Sequence, residues 1–384
     1  FLFSHTLTTK ARMSISLFFF ILSMIPYFKY KVNPFYMKHQ TNYILIISLV
    51  LNILSYFCKV KKTKTFIKTF LLYLKKHMDV SIIIVNYNTT LLVLDCISSI
   101  KKYTKDILYE IIIVDNDSNE DIEEIFYERF VNETNIRFIK LSENIGFGRA
   151  NNEGFRVAKG KYVLCLNPDT LLVNNAIKLM TDFLDNNPTV GICGGNLYDK
   201  EMKPTHSFKK FFPSILWEID TLSFHKLEKL IYRNNAIFNH SDQPMEVAYI
   251  TGADLMIRKD LLNKIGGYNS NFFMFFEETD LCLKAKKEGF KIMNVPEARI
   301  QHLEGQSYKS EKDIIIKEKS VRLWEESRLI FYTLNRPKIV KKIANYIYGL
   351  SLNICYITFK KMHHPIWKEY YLRRSINREL LNNK

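Results

Sequence analysis

From residue 78 onward, short β-branched runs alternate with amphipathic stretches of helical period, and this alternation leaves few folds open. Strands are expected at 81–85, 111–114, 136–141 and 162–166. Helices are expected between them at 91–100, 120–130 and 149–158, the second behind a Ser118-x-x-Asp121 capping pair. Strands at this spacing with helices between them form βαβ units, and βαβ units build a parallel sheet. Ligands of such sheets sit outside the carboxyl ends of the strands, so the residues there carry most of the functional information.

The fourth run, Tyr162–Leu166, is apolar throughout and reads as a strand buried on both faces. Pro168 cannot donate to a ladder and holds Asn167 extended, so the strand ends there and Asp169 stands just past its carboxyl end. A carboxylate in that place can hold a divalent cation over a phosphate. Asn-Pro-Asp-Thr is equally a set of turn formers, and alone it does not choose between the two readings.

The first strand closes with Val85, Asn86, Tyr87 and Asn88, the second with Val114-Asp115-Asn116-Asp117-Ser118. Polar side chains so placed can bond a base or ribose, or simply close a βα turn. The run Asn144-Ile-Gly-Phe-Gly-Arg-Ala-Asn-Asn-Glu-Gly154, with Gly146 and Asn151 inside it, opens a helix and suits close backbone approach and an anion at the helix N-terminus. It lacks the Gly-Lys-Ser/Thr of a phosphate-binding loop. Its glycine spacing, and its position after the third strand, fail the dinucleotide fingerprint, which argues against hydride transfer.

Further on, a helix is expected after Leu171, running to Leu184, then a Gly-rich strand at 191–197, an irregular aromatic and basic stretch at 198–245, and order again from 247 to 257. Lys259–Ile265 reads as a helix closed by Gly266-Gly267. Glu277, Glu278 and Asp280 open a helix after five aromatic or Met residues, 272–276. Acids in a first turn stabilise the helix macrodipole, but an apolar wall can also raise one carboxylate toward a useful general base, and spacing does not say which. His302 follows a strand expected at 290–295. A lone His is ordinarily structural, but with Asp169 it could complete a cation site. Residues after 313 read as helices, with 343–359 apolar and nearly uncharged.

The chain has 384 residues and a formal net charge of +16, unevenly spread. Residues 1–77 hold twelve Lys or Arg and no acid, and 335–384 hold eleven against two acids, whereas 78–334 hold 32 basic and 37 acidic residues. Basic excess confined to the ends argues against a nucleic-acid-binding core and for ends that meet an anionic membrane. Apolar runs at 15–25 and 43–58 are shorter than a usual spanning helix of about 20 residues. Seven lysines follow the second run, which would leave the downstream chain in the cytoplasm. Residues 1–77 admit two readings, an apolar and basic membrane anchor or sequence upstream of a start at Met78. The cysteines, 58, 96, 165, 193, 282 and 355, form no close pair and read as buried thiols of a reducing compartment.

Together these motifs, in this order, resemble the inverting glycosyltransferases of family 2, with the GT-A fold, and within them the branch often called rhamnosyltransferases. The likeness runs from about 80 to 307: Ser-Ile-Ile-Ile-Val-Asn-Tyr-Asn at 81–88, Val-Asp-Asn-Asp-Ser at 114–118, the Asn/Gly run at 144–154, Leu-Asn-Pro-Asp at 166–169, Thr-Gly-Ala-Asp at 251–254, Phe-Glu-Glu-Thr-Asp-Leu-Cys at 276–282, and His302 with Gly305. The resemblance implies a Rossmann-like, mostly parallel sheet flanked by helices, with a nucleotide-sugar half at 78–197, an acceptor half at 198–312 and a helical basic extension at 313–384.

It also implies roles. Asp169 would be a metal ligand at the family's Asp-x-Asp position, whose first acid is Asn167 here, and His302 would join it around Mg²⁺ or Mn²⁺. Val85, Asn86, Asp115, Asn116, Gly146, Asn151 and Asn167 would bind the nucleotide, Asn116 accepting the pyrimidine N3–H. Glu278 would be the base, with Glu277 and Asp280 beside it. The donor would be dTDP-rhamnose or a UDP-sugar and the acceptor a glycan or lipid-linked hydroxyl at the cytoplasmic face of the membrane. Two other readings share the sheet. A nucleotidyltransferase would carry a Gly-rich loop with Arg and Lys after strand one, which Asn86-Tyr-Asn-Thr-Thr90 is not. A non-catalytic binding module would lose nothing with Glu278.

Overall fold

The computed structural model describes residues 78–119, 122–130, 132–224, 226–303 and 313–382. The basic segment 1–77 with Cys58, the capping residue Asp121, and Gly305 lie outside the described residues.

Four strands stand where alternation placed them: β1 (Val80–Asn86), β2 (Tyr109–Asp115), β3 (Ile136–Lys140) and β4 (Tyr162–Leu166). Between them run α1 (Thr90–Tyr103), α2 (Ile122–Phe130) and α3 (Phe147–Val157). The four pair in parallel in the order β3-β2-β1-β4. Every residue of β1 and β4 is buried, as strands covered on both faces must be. Alternate side chains go to opposite layers: Ile82 and Ile84 pack with Val93, Ile97 and Ile100 of α1, Ile83 and Val85 with Ala150 and Phe155 of α3. The order reverses between β1 and β4, so the crevice of this sheet opens outside Asn86 and Leu166.

Beyond β4 the sheet is mixed. Its path continues β4-β10-β6-β11-β5 through β5 (Thr170–Leu172), β6 (Val190–Tyr198), β10 (Asp254–Arg258) and β11 (Lys291–His302). β10 is antiparallel to both neighbours, β6 and β11 are parallel, and β5 is antiparallel to β11.

Strand pairing corrects three expectations. No helix follows directly on Leu171: β5, fixed by pairing with β11, runs on to Leu172, and α4 (Ala176–Asn186) starts five residues after Leu171. The strand expected to stop at 295 runs on to His302. Pro296 is accommodated because the β6–β11 register shifts between Asn294 and Arg299, where no ladder bond is needed from it. The stretch expected to be irregular holds β7 (Phe208–Lys209), which pairs with β9 (Tyr249–Ile250), and β8 (Met245–Glu246), which pairs with β11. It also holds α5 (Ile215–Leu222), capped by Ser214 accepting from Trp217 N, and α6 (Lys226–Tyr232). As expected, α7 (Lys259–Ile265) ends in left-handed Gly266 at φ 79°.

After α8 (Glu277–Lys287) and β11 come α9 (Asp313–Asn335), α10 (Lys338–Lys361) and α11 (Trp367–Asn382). They are clamped to α5 by a buried ion pair. Arg328 and Glu218 are both fully buried; Arg328 Nη2 and Nε donate to Glu218 Oε1 at 2.5 and 3.1 Å, and the Tyr332 hydroxyl donates to the same oxygen at 2.8 Å. The guanidinium also lies 3.9 Å from the Tyr348 ring centre. Removing one partner leaves the other charge buried and unpaired, a loss of about 3–5 kcal/mol. Arg328→Met is therefore expected to lower the urea midpoint strongly, and Arg328→Met with Glu218→Leu to recover most of the loss. Equal midpoints for the single and double variants would show that the pair is not coupled.

Candidate active site

At the end of β1, Asn86 Nδ2 donates to Asp115 Oδ1 and to Ser118 Oγ, both at 2.8 Å, while Asn86 Oδ1 accepts from Thr89 N and Oγ1. Asp115 also accepts from the Ser118 hydroxyl at 2.6 Å. Asn86 and Asp115 therefore knit the two strand ends together. Asn116, next in line, accepts from Ile145 N at 3.0 Å and donates to Asn144 Oδ1 at 3.0 Å, which ties β2 to the Asn/Gly run. One lone pair of its carbonyl remains for a ligand.

The glycines of that run serve packing. Gly146 has φ 89°, and a Cβ there would fall on the Phe273 carbonyl oxygen, which accepts from Phe147 N at 2.9 Å. The close backbone approach expected of Gly146 is thus made to the aromatic loop before α8. A Cβ on Gly148 would stand 3.3 Å from Glu277 Cβ, so the first turn of α3 rests on the first turn of α8.

At the end of β4, Asn167 N donates to Ala253 O at 2.9 Å, and Asn167 O accepts from Thr170 N and Oγ1. That turn delivers the chain into β5, whose register places Thr170 opposite His302. Asp169 O accepts from Leu303 N at 2.9 Å, and Asp169 Oδ1 lies 3.3 Å from His302 Nε2. The pairing expected of Asp169 and His302 is thus made by β5, a strand the sequence pattern missed.

The acids at 277–280 separate by environment. Asp280 Oδ1 accepts from Asn335 Nδ2 of α9 at 2.7 Å, and Oδ2 pairs with Lys284 at 3.2 Å. It anchors α8 to the C-terminal helices. Glu277 is buried beneath Gly148, and its Oε2 has no partner among the described residues. Burial first, then the charge of Glu278, holds its carboxyl well above the usual range. Glu278 is partly exposed, accepts from the Thr279 hydroxyl at 3.0 Å, and is also raised by loss of solvation.

In the loop before α8, Phe272 and Phe276 form a satellite core with Phe331 and Trp324 of α9. Phe275 and Phe276 adopt φ of 69° and 65°, conformations costing about 1–3 kcal/mol each for such side chains. They are held by that aromatic cluster and by Ser327 Oγ, which donates to Met274 O at 2.7 Å.

One residue not singled out as a site residue stands out. Asp254, within Thr251–Asp254, is fully buried, and its Oδ2 accepts from Gly195 N at 2.5 Å. Burial pushes its carboxyl up to about 7, against the opposing pull of that N–H and of His302. An acid inside the apolar run Asp-Leu-Met-Ile was the available signal.

A chain of contacts links the two groups. Asp169 follows Asn167, which is bonded to Ala253; a Cβ on Gly252 would meet the Phe147 ring, and the turn after Phe147 packs on Glu277. Asn151 Oδ1 and Asn167 Oδ1 are buried without a partner among the described residues. Buried polar atoms left open in this way suit a polar ligand. Among the described residues no three His, Cys, Asp or Glu side chains gather as a metal cage. One carboxylate and one imidazole nevertheless fit a divalent ion that takes its remaining ligands from a diphosphate and water.

Residues 81–266 match the sequence model of the family described as Glycosyl transferase family 2. The match stops before Glu277 and His302. A poly-beta-1,6-N-acetyl-D-glucosamine synthase of Staphylococcus epidermidis is 28% identical over 233 residues, which is 59% of this chain and 51% of the relative. One of the same description from Staphylococcus aureus (strain COL) is 27% identical over 212 residues, 55% of this chain and 46% of the relative. The chain thus spans about half the length of these curated relatives. The solved mannosyltransferase of Pyrobaculum calidifontis in complex with GDP-Man and Mn²⁺ has TM-score 0.48 at 13% identity, covering 83% of this chain and 92% of that one. Residues 81–266, a little under half of the chain, are thus similar to glycosyl transferase family 2.

Proposed function

We propose that this protein moves a sugar from a nucleotide-diphospho-sugar to a hydroxyl of a glycan or lipid-linked acceptor, inverting the anomeric centre, in surface polysaccharide synthesis. The observation that carries this reading is the Asp169–His302 pair at the end of β4, linked through Ala253, Gly252 and Phe147 to the acids that open α8. Asn116, Asn151 and Asn167 offer open acceptor positions to the nucleotide, while Asn86 and Asp115 keep the crevice in shape. Asp169 and His302 would hold the divalent ion, which when bound offsets charge on the diphosphate. Glu278 takes the proton of the acceptor hydroxyl as that oxygen attacks the anomeric carbon; the nucleoside diphosphate leaves from the opposite face.

The named relatives make an N-acetylglucosamine polymer, which favours a UDP-N-acetylhexosamine donor ahead of dTDP-rhamnose. The basic ends support a place at the cytoplasmic face of the membrane. A thermal-shift panel of UDP-N-acetylglucosamine, UDP-glucose, dTDP-rhamnose and GDP-mannose, each with and without Mn²⁺, tests donor and metal together. A donor at a hundred times its Kd should stabilise by about 2.7 kcal/mol, more with Mn²⁺ than without. No shift from any of the four, with or without Mn²⁺, would count against the reading.

A further inference from the structure

α10 is apolar on two faces. Its buried face holds Ala344, Tyr348, Ser351, Leu352 and Cys355, whereas on the opposite face Ile339, Ile343, Tyr346, Leu350, Ile354 and Ile357 are exposed. These six recur every three or four residues and form one stripe, about 27 Å long at 1.5 Å per residue. Tyr346 is 76% exposed and Ile339 63%, where a helix facing water would carry charge. Leu216 and Ile219 of α5, which packs against α10, are exposed as well. An apolar surface this continuous marks a contact.

The charges around it say with what. α10 contains no Asp or Glu, and lysines close both ends of the stripe: Lys338, Lys341 and Lys342 at one, Lys360 and Lys361 at the other. Beside it, Lys342 joins Arg374 and Arg378 of α11 around a groove of about 570 Å³ that also takes in Tyr346, Leu350 and Leu381. No helix among the described residues is long and apolar enough to cross a membrane. A helix with an apolar stripe, lysines at its margins and no acid suits a place in the plane of an anionic bilayer surface. There its stripe reaches the acyl boundary and its cations the phosphates.

We propose that α10 is the surface by which this protein docks on an anionic membrane. This rests on the proposed place at the membrane surface and adds which face makes the contact. α10 follows directly on α9, which holds Met274 and Asp280 through Ser327 and Asn335, so the docked face belongs to the helical layer that braces α8.

The full chain is tested by flotation with vesicles of phosphatidylcholine alone and of phosphatidylcholine with phosphatidylglycerol. It should float with the second, less so as salt is raised. The variant Tyr346→Glu/Leu350→Glu/Ile357→Glu should partition about tenfold less or weaker still, with an unchanged melting midpoint and donor turnover. In a second measurement, Tyr346→Trp should gain emission that shifts to the blue with anionic vesicles and is quenched by lipids brominated on the acyl chain. If the triple variant floats like the parent and Tyr346→Trp is not quenched, the face is wrong while the membrane reading stands. If the parent floats with neither vesicle, both fall. If the Tyr346→Trp emission is already blue-shifted without vesicles, or the triple variant turns a dimeric parent monomeric, another segment or a second copy covers the stripe and the proposal is overturned.

Discussion

Glu278→Gln is expected to slow sugar transfer by about 10²–10⁴-fold while leaving donor affinity nearly unchanged, the loss usual for a general base removed without change of shape. Three acids open α8, and their surroundings assign them different work. Asp280 is held by Asn335 and Lys284. Glu277 is buried under the first turn of α3, where a shifted proton equilibrium does not give it reach. Glu278 is the partly exposed one, and its hydroxyl partner Thr279 leaves room for a second bond. Asp280→Asn should therefore cost stability more than turnover, and Glu277→Gln should cost less turnover than Glu278→Gln. The pH profile gives a second check. Transfer needs Glu278 ionised, and burial raises its carboxyl, so activity should rise with pH along a limb lying above the ordinary Glu value of about 4.3. Near-normal turnover in Glu278→Gln, with the loss found in Glu277→Gln, would move the base by one residue. Full activity in all three variants would remove the general-base mechanism altogether.

Whether a feature is legible in the sequence depends on where its determining contacts lie. β1 to β4 are local: each run is β-branched, closed by polar turn residues and separated from the next by a helix of the right period. The end of β4 just before Asn167 is legible because Pro168 acts on its own neighbour. β5 is not, because three residues become a strand only by pairing with Ile300 to His302, far along the chain. α5 and α6 escape for the same reason, since Glu218 finds its partner 110 residues away. Residue type alone does not show where polar groups satisfy each other. Asn86 and Asp115 read as ligand groups in the sequence, and the folded chain adds that they bond each other across two strands. The reverse holds for Asp254, whose burial turns an unremarkable acid into a perturbed one. The left-handed Phe275 and Phe276 follow no local preference, and α9 imposes them.

Asp169→Ala is expected to abolish transfer without unfolding the protein. The carboxylate reaches His302, and the turn around it is kept by backbone bonds, Leu303 N to Asp169 O and Thr170 N to Asn167 O, which alanine preserves. Its melting midpoint should stay close to the parent's in the absence of donor. With donor present, the extra stabilisation that Mn²⁺ confers on the parent should vanish, because the ion then lacks its carboxylate and keeps only an imidazole. His302→Ala should lose less, since a carboxylate with diphosphate oxygens still makes a serviceable site, and the loss should shrink as Mn²⁺ is raised. Combining the two should add little to Asp169→Ala alone, as expected of groups that act on one ion. Chelator-treated parent should behave like Asp169→Ala and recover on Mn²⁺ resupply, and the variant should not. Normal turnover of Asp169→Ala after chelation and resupply would place the ion elsewhere. Loss of turnover with an undiminished Mn²⁺ effect on donor binding would make Asp169 a donor-orienting group and leave the ion to other ligands.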